Sequence, residues 1–263
     1  MKISIIDKTG KKTGDFDLKL DCDIREDVFK KAVESERSIF KQGYGATPLA
    51  GKKTSINVTK RRQAFRSTYG KGGSRTPKKA MWKRGQQVRF VGAFAPQTVG
   101  GRKAHPPKAT KINFKNMNNK EWTRALQTGV MASMDQKIVA SNGQRVPTSY
   151  PMVLDEKFEK VAKTSEFVDI LAKLGFDGEI ERTSVVKVRA GKGTMRNRTY
   201  KIKRGPLVVV SSNESPLLKA SRNIKGFDVI TPDLLMVSDF GMSVKPGRAV
   251  LFTKSALDNL WRF

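Results

Sequence analysis

The sequence predicts an α/β protein: a mostly parallel sheet covered by helices on both faces, with a long extended basic internal loop set into it. Three observations carry this. Wholly apolar strands such as PLVVVS and RAVLFT alternate with helical stretches in the second half of the chain, and strands of that kind belong to parallel sheets buried on both sides. No Asp or Glu occurs between Glu36 and Glu121. A second window, RTSVVKVRAGKGTMRNRTYKIKRG from Arg182 to Gly205, is also acid-free. Runs of like charge are usually solvated faces or tails. Here they lie inside the chain between regular segments, which makes them loops presented by a scaffold. The expected division is a body of residues 1–40 and 112–263 and a loop of residues 41–111.

The elements follow in order. KISIIDKTGKKTGDFDLKL reads as a strand, a turn at Lys8–Gly14 and a second strand. EDVFKKAVESERSIF places Val28, Phe29, Ala32, Val33 and Phe40 near helical spacing, with acids in its first turn where the helix dipole favours them. Beyond the basic loop, NNKEWTRALQTGVMASMDQKIVA reads as one long helix. Trp122, Leu126, Val130, Met131, Met134 and Ile138 recur at three and four, and SNG ends it. The methionines in that stripe are core packing. PMVL is a short strand, SEFVDILAKLG a helix stopped by Gly175, PLVVVS a buried strand, SPLLKASRN a short helix and GFDVIT a strand. PDLLMVSDF starts with proline in a helical first turn. RAVLFT is the final strand and SALDNLWRF a final helix capped by Ser255. A body of roughly 180 residues buries about two thirds of its unfolded surface, enough for a stable core.

The formal net charge of +28 over 263 residues calls for a polyanionic partner. An anionic membrane is a poor one: no apolar run approaches the roughly 20 residues of a spanning helix. The start, MKISIIDKTG, is charged where a signal peptide carries its apolar core. Cys22 is the only cysteine and His105 the only histidine. An internal disulfide is therefore impossible, a reducing compartment is expected, and a structural zinc site, wanting about four such ligands, is excluded. His105 sits in AHPPK with no carboxylate nearby in sequence and reads as a loop histidine, not a catalytic base.

Parallel α/β sheets often bind nucleotides, yet no glycine-rich stretch here has the form of a phosphate loop. AGKGTM lacks the spacing GxxxxGK[ST] and is not framed by an apolar strand and a helix start. GYGA and GKGG follow no apolar strand, and pairs such as Asp155–Glu156 and Asp21–Asp23 read as surface or capping clusters. No enzyme, no cofactor and no metal are expected.

Within the first basic window the aromatics Phe65, Tyr69, Trp82, Phe90 and Phe94 are isolated, not periodic, so no core is expected there and the segment stays extended by itself. Glycine lets backbone approach phosphate closely, while Arg and Lys neutralise it and Arg forks onto two oxygens or stacks on a base. Tyr69, Trp82 and Phe90 either stack on unpaired bases or pack locally; both readings stand. DNA fits the charge equally well. However, no helix-turn-helix, zinc-finger or basic-zipper pattern occurs, and an interior extended arm suits a folded RNA better than a duplex groove. The candidate RNA contacts are Lys52, Lys53, Lys60, Arg61, Arg62, Arg66, Lys71, Arg75, Lys78, Lys79, Lys83, Arg84, Arg89, Arg102, Lys103 and Lys108. To these the second window adds Arg189, Lys192, Arg196, Arg198, Lys201, Lys203 and Arg204.

The stretches YGATPLAGKKTS, VGGRKAHPPK, KINFKNMNNKEWTRAL and VRAGKGTMRNRTYKIKRGPLVVV, with the closing GRAVLFTKSALDNL, resemble the universal large-subunit ribosomal protein four (L-four) family over nearly the whole chain. AHPPK and RAGKGTMR resemble its archaeal–eukaryotic branch, and the lack of a long basic tail after Phe263 favours the archaeal type. The resemblance implies a structural constituent of the large subunit that binds 23S-type rRNA and aids subunit assembly in the cytoplasm, with neighbouring ribosomal proteins and the nascent peptide as further partners. It implies an α/β body on the outer surface and a loop, about Lys41 to Lys111, that penetrates rRNA and carries His105 among its contacts. The loop tip, between Arg61 and Lys83, is expected to help line the exit tunnel through Tyr69, Gly70, Lys71 and Arg75. Here TYGKGGSRTPKK departs from the family's usual aromatic followed by glycine- and arginine-rich residues. The segment Arg189 to Arg204 is expected to clamp rRNA from the body.

Overall fold

The computed structural model describes residues 1–18, 20, 22–56, 61–64, 67, 69–70, 72–85 and 87–260. Internal packing divides the chain into two units, Met1–Phe40 with Phe114–Phe263, and Lys41–Asn113.

The first unit opens with β1 (Lys2–Ile6), β2 (Lys12–Asp17) and α1 (Glu26–Ile39). In α1, Glu26 and Asp27 sit in the first turn and Arg37 in the last, and Phe29, Ala32 and Val33 bury one stripe. The chain leaves this unit after Phe40 and returns at Phe114. The return is fastened to α1: Ser35 Oγ donates to the Lys115 carbonyl at 2.7 Å, Lys115 N donates to Ser38 Oγ at 2.9 Å, and Lys115 Nζ meets Glu34 at 2.7 Å.

The second unit contains the hairpin β3 (Lys78–Arg84) and β4 (Gln87–Gly92), antiparallel with an irregularity between Ala80 and Trp82, and Gly85 in its turn at φ +55°. Its signal in the sequence is faint: along β4, half-buried Val88 and Phe90 alternate with exposed Gln87, Arg89 and Val91, while β3 is mostly exposed. Among the described residues of this unit, the buried ones are Ser67, Ala93 and Ala95. Backbone pairing and turns define its shape, in place of an apolar core.

Back in the first unit follow α2 (Asn119–Met134), α3 (Gln136–Ser141), β5 (Met152–Leu154), α4 (Thr164–Lys173) and α5 (Asp177–Ser184). Then come the short pair β6 (Lys187–Val188) and β7 (Tyr200–Lys201), β8 (Leu207–Val209), α6 (Pro216–Ser221), β9 (Asp228–Ile230), β10 (Val250–Thr253) and α7 (Lys254–Leu260). The main sheet has six strands in the order β2-β1-β5-β10-β8-β9; β1 pairs with β2 antiparallel and every other pairing is parallel.

Both faces are covered, and the strands alternate between them. Val208, Leu251, Met152 and Leu154 join one core with Phe158, Phe167, Leu171 and Leu217, beneath α4 and α6. Leu207, Val209, Val250, Phe252 and Val153 join the other with Phe29, Val130, Phe240 and Leu257, beneath α1, α2 and α7. Each such side chain, taken fully out of water, contributes about 1.5–3 kcal/mol.

Three sequence expectations need correction. The long helix through Ile138 is two helices. Asp135 is extended at φ −87° and ψ 109°, and its carboxylate accepts Lys137 N at 2.9 Å, capping a fresh start. PDLLMVSDF is not one helix but two single 3₁₀ turns, Pro232–Leu234 and Val237–Phe240. Side chains capture the amides that a continuous helix would pair: Glu36 takes Val237 N at 2.6 Å and Ser238 N at 2.8 Å, and Asp239 takes Met236 N at 3.1 Å. Finally, α7 starts at Lys254, so Ser255 is inside it, and Thr253 Oγ1 accepts the Ala256 N–H at 3.3 Å in the capping role.

Candidate nucleic-acid interface

In the second unit the cationic side chains ride on turns, strands and glycine-rich connections. Arg75 lies over the Tyr69 ring with its guanidinium carbon 4.4 Å from the centroid, and Arg62 approaches the same ring at 6.0 Å. This pairing is a cation–π contact that leaves guanidinium edges for acceptors. Ser67 Oγ closes the adjoining turn by donating to the Arg61 carbonyl at 2.6 Å and accepting Tyr69 N at 3.2 Å. Lys78, Lys79, Lys83 and Arg84 stand on β3 and Arg89 on β4, where Arg89 faces Trp82 across the ladder. Trp82 is half exposed.

Lys52, Arg102 and Lys103 border a cleft of about 590 Å³ walled by Gly51, Gly100 and Gly101. Gly51, at φ +72°, is required there: a Cβ would stand 2.6 Å from the Arg102 Cα. Arg102 also lies 5.8 Å from the Phe94 ring. Lys103, His105, Lys108 and Lys111 line a second cleft of about 630 Å³ together with Tyr44. Tyr44 was not singled out from the sequence, although YGA inside a basic stretch is a signal that finds it. Lys53 is exposed. The expected contacts Lys60, Arg66 and Lys71 lie outside the described residues. Gly70, at φ +71°, has open space where a Cβ would be.

In the first unit β6 and β7 form an antiparallel stalk, with Lys187 opposite Lys201 and Val188 opposite Tyr200. Its loop is shaped internally. Arg189 Nε donates to the Arg198 carbonyl at 3.0 Å, Thr194 Oγ1 donates to the Arg189 carbonyl at 2.6 Å, and Gly191 and Asn197 turn the chain at φ +79° and +58°. Lys192, Arg196, Arg198, Lys201 and Lys203 are exposed.

The model of the ribosomal protein L4/L1 family matches residues 18–262. The large ribosomal subunit protein uL4 of Nanoarchaeum equitans is 38% identical over 237 residues, 90% of this chain and 88% of that protein. Those of Methanococcus vannielii and Sulfolobus acidocaldarius are 35% and 34% identical over 265 residues, covering 99% and 98% of this chain and 98% and 93% of theirs. The chain belongs to the ribosomal protein L4/L1 family. Its likeness is to the archaeal type, and the family is one of ribosomal proteins, not of enzymes.

In this L4/L1-family chain one expected RNA contact is turned inward. Arg204 donates to the Ser238 and Gly241 carbonyls at 3.1 and 3.0 Å and pairs with Asp239 at 3.2 Å and Asp228 at 3.4 Å. Beside it, fully buried Arg248 donates through Nε to the Gly205 carbonyl at 2.6 Å and through Nη2 to Asp228 at 2.7 Å. Burial, then the Arg204 charge, pushes the Arg248 guanidinium down to about 10, against the pull of Asp228; it stays charged at neutral pH. The two arginines fix the chain where the β6–β7 stalk joins the sheet. Arg248 was not noticed in the sequence because RAVLFT reads as strand alone.

Among the described residues no helix is long and apolar enough to cross a membrane.

Proposed function

We propose that this chain is a structural constituent of the large ribosomal subunit, located in the cytoplasm within the ribosome. The observation that carries the proposal is the family match over residues 18–262, with archaeal uL4 relatives aligned across most of both chains. Its finer parts are these. The chain binds 23S-type rRNA, aids subunit assembly, and meets neighbouring ribosomal proteins. Residues 41–111 form the rRNA-penetrating segment. Its tip, about Tyr69, Gly70, Lys71 and Arg75, helps line the exit tunnel and meets the nascent peptide.

What supports rRNA binding is the charge: 52 Lys and Arg against 24 Asp and Glu, with no acid from residue 37 to 120. Phosphate is the group that the exposed side chains of Lys52, Lys83, Arg84, Lys192 and Arg198 are built to neutralise. Arg204, committed to Asp228 and Asp239, serves the scaffold of that surface.

The test is sedimentation with large ribosomal subunits through a high-salt gradient. The chain should remain with the subunit, and its recovery at the top of the gradient would overturn the proposal. For the free protein on rRNA, the logarithm of affinity should fall with that of salt by about 0.7–0.9 per phosphate contacted. Duplex DNA should compete more weakly than structured rRNA.

A further inference from the structure

Resting on the RNA-binding reading above, we infer that the β6–β7 stalk is a two-sided RNA grip: one face holds phosphates and the other seats an unpaired base against Tyr200. Residues directly opposite in an antiparallel ladder share a face, and neighbours along a strand alternate. Val188 opposite Tyr200 therefore makes one face, and Lys187 opposite Lys201 the other. The amide of Arg189 donates to the Thr199 carbonyl at 2.8 Å, which carries the ladder on and puts Arg189 on the cationic side. By the same alternation Val186 and Ile202 extend the apolar side.

That apolar side lies in water: Val188 is 68% exposed and Tyr200 64%. Charge decides what covers it. From Arg182 to Asn213 the chain has no acid, and the stalk's loop supplies Lys192, Arg196 and Arg198. A protein seated on Val188 and Tyr200 would bury apolar surface inside a rim of uncompensated cations. RNA satisfies both sides at once, phosphate oxygens meeting the lysines and arginines while a base plane lies on the tyrosine ring. The base must be unpaired, because A-form duplex keeps its base planes stacked and its major groove closed to side chains. The anchoring of Arg204 and Arg248 beneath the stalk holds the two faces in fixed orientation.

The experiment measures affinity of the full chain for two RNAs of one sequence, an uninterrupted hairpin stem and the same stem with an unpaired bulge, across a salt series. Taking the ratio of the two affinities cancels the contribution of residues 41–113. Wild type should prefer the bulged RNA. Tyr200→Ala should reduce that preference roughly 5- to 150-fold, the effect of one lost base stack, with the salt slope unchanged. Tyr200→Phe should keep it. Lys187→Gln with Lys201→Gln should weaken both RNAs alike and lower the salt slope by about 0.7–0.9 per lysine. An unaltered ratio in Tyr200→Ala, or equal loss on both RNAs, overturns the inference while leaving rRNA binding intact. So does a Tyr200→Ala chain with normal ratio that fails to enter subunits, since the face then meets protein. Failure of wild type to bind either RNA overturns the binding reading as well.

Discussion

Arg248 is the residue on which the junction between stalk and sheet depends. Its guanidinium is fully buried and holds the carbonyls of Gly205 and Pro206 together with Asp228. Removing it leaves those acceptors unpaired and opens a cavity, so Arg248→Ala should cost about 3–5 kcal/mol in urea unfolding. Glu36 gives a pH signature. Burial pushes its carboxyl up, outweighing the Val237 and Ser238 amides that favour the charged form. As pH falls, the folded state takes up that proton before the unfolded chain does. The resulting increment of stability is complete below the unfolded value of about 4.3 and is lost as pH rises through the raised folded value. Wild type should therefore gain on Glu36→Gln as unfolding is measured from neutral pH down towards pH 4; a flat difference would show that the carboxyl is not perturbed.

At the scale of elements, Asp135 separates α2 from α3. Asp135→Ala should cost about 0.5–2 kcal/mol, read by chemical denaturation, because Lys137 N loses its acceptor. The same residue explains where reading the sequence stops. Met131, Met134 and Ile138 keep helical spacing straight through the break, and periodicity does not register a single residue turning extended. The strands of the sheet were plain, since Leu207–Val209 and Val250–Thr253 are short, almost wholly apolar runs buried on both faces. The β3–β4 hairpin was missed because β3 is mostly exposed and the apolar alternation is confined to the half-buried pair Val88 and Phe90 on β4. For the candidate interface, sequence supplied the cations but not their directions: Arg204 and Lys203 are adjacent and look alike, yet one is locked onto two aspartates and the other is exposed. Only the acids at 228 and 239, far along the chain, decide between them.

For the whole molecule, the fastening of Lys115 to Ser35 and Ser38 means that the first unit holds both ends of the excursion by itself. Replacing residues 42–112 with a short glycine-serine linker should leave the first unit's cooperative melting in place while abolishing stable incorporation into subunits. Loss of the melting transition would show that the removed segment belongs to the first unit's core. The strand order has a consequence in time. β10 sits between β5 and β8, yet it is the last strand of the sheet to be synthesised. Until Val250–Thr253 leaves the translating machinery, two half-sheets wait with their hydrophobic edges unmatched, and the cationic excursion has already emerged ahead of any finished body. A newborn chain thus presents its cations to its surroundings before the sheet that carries them can close.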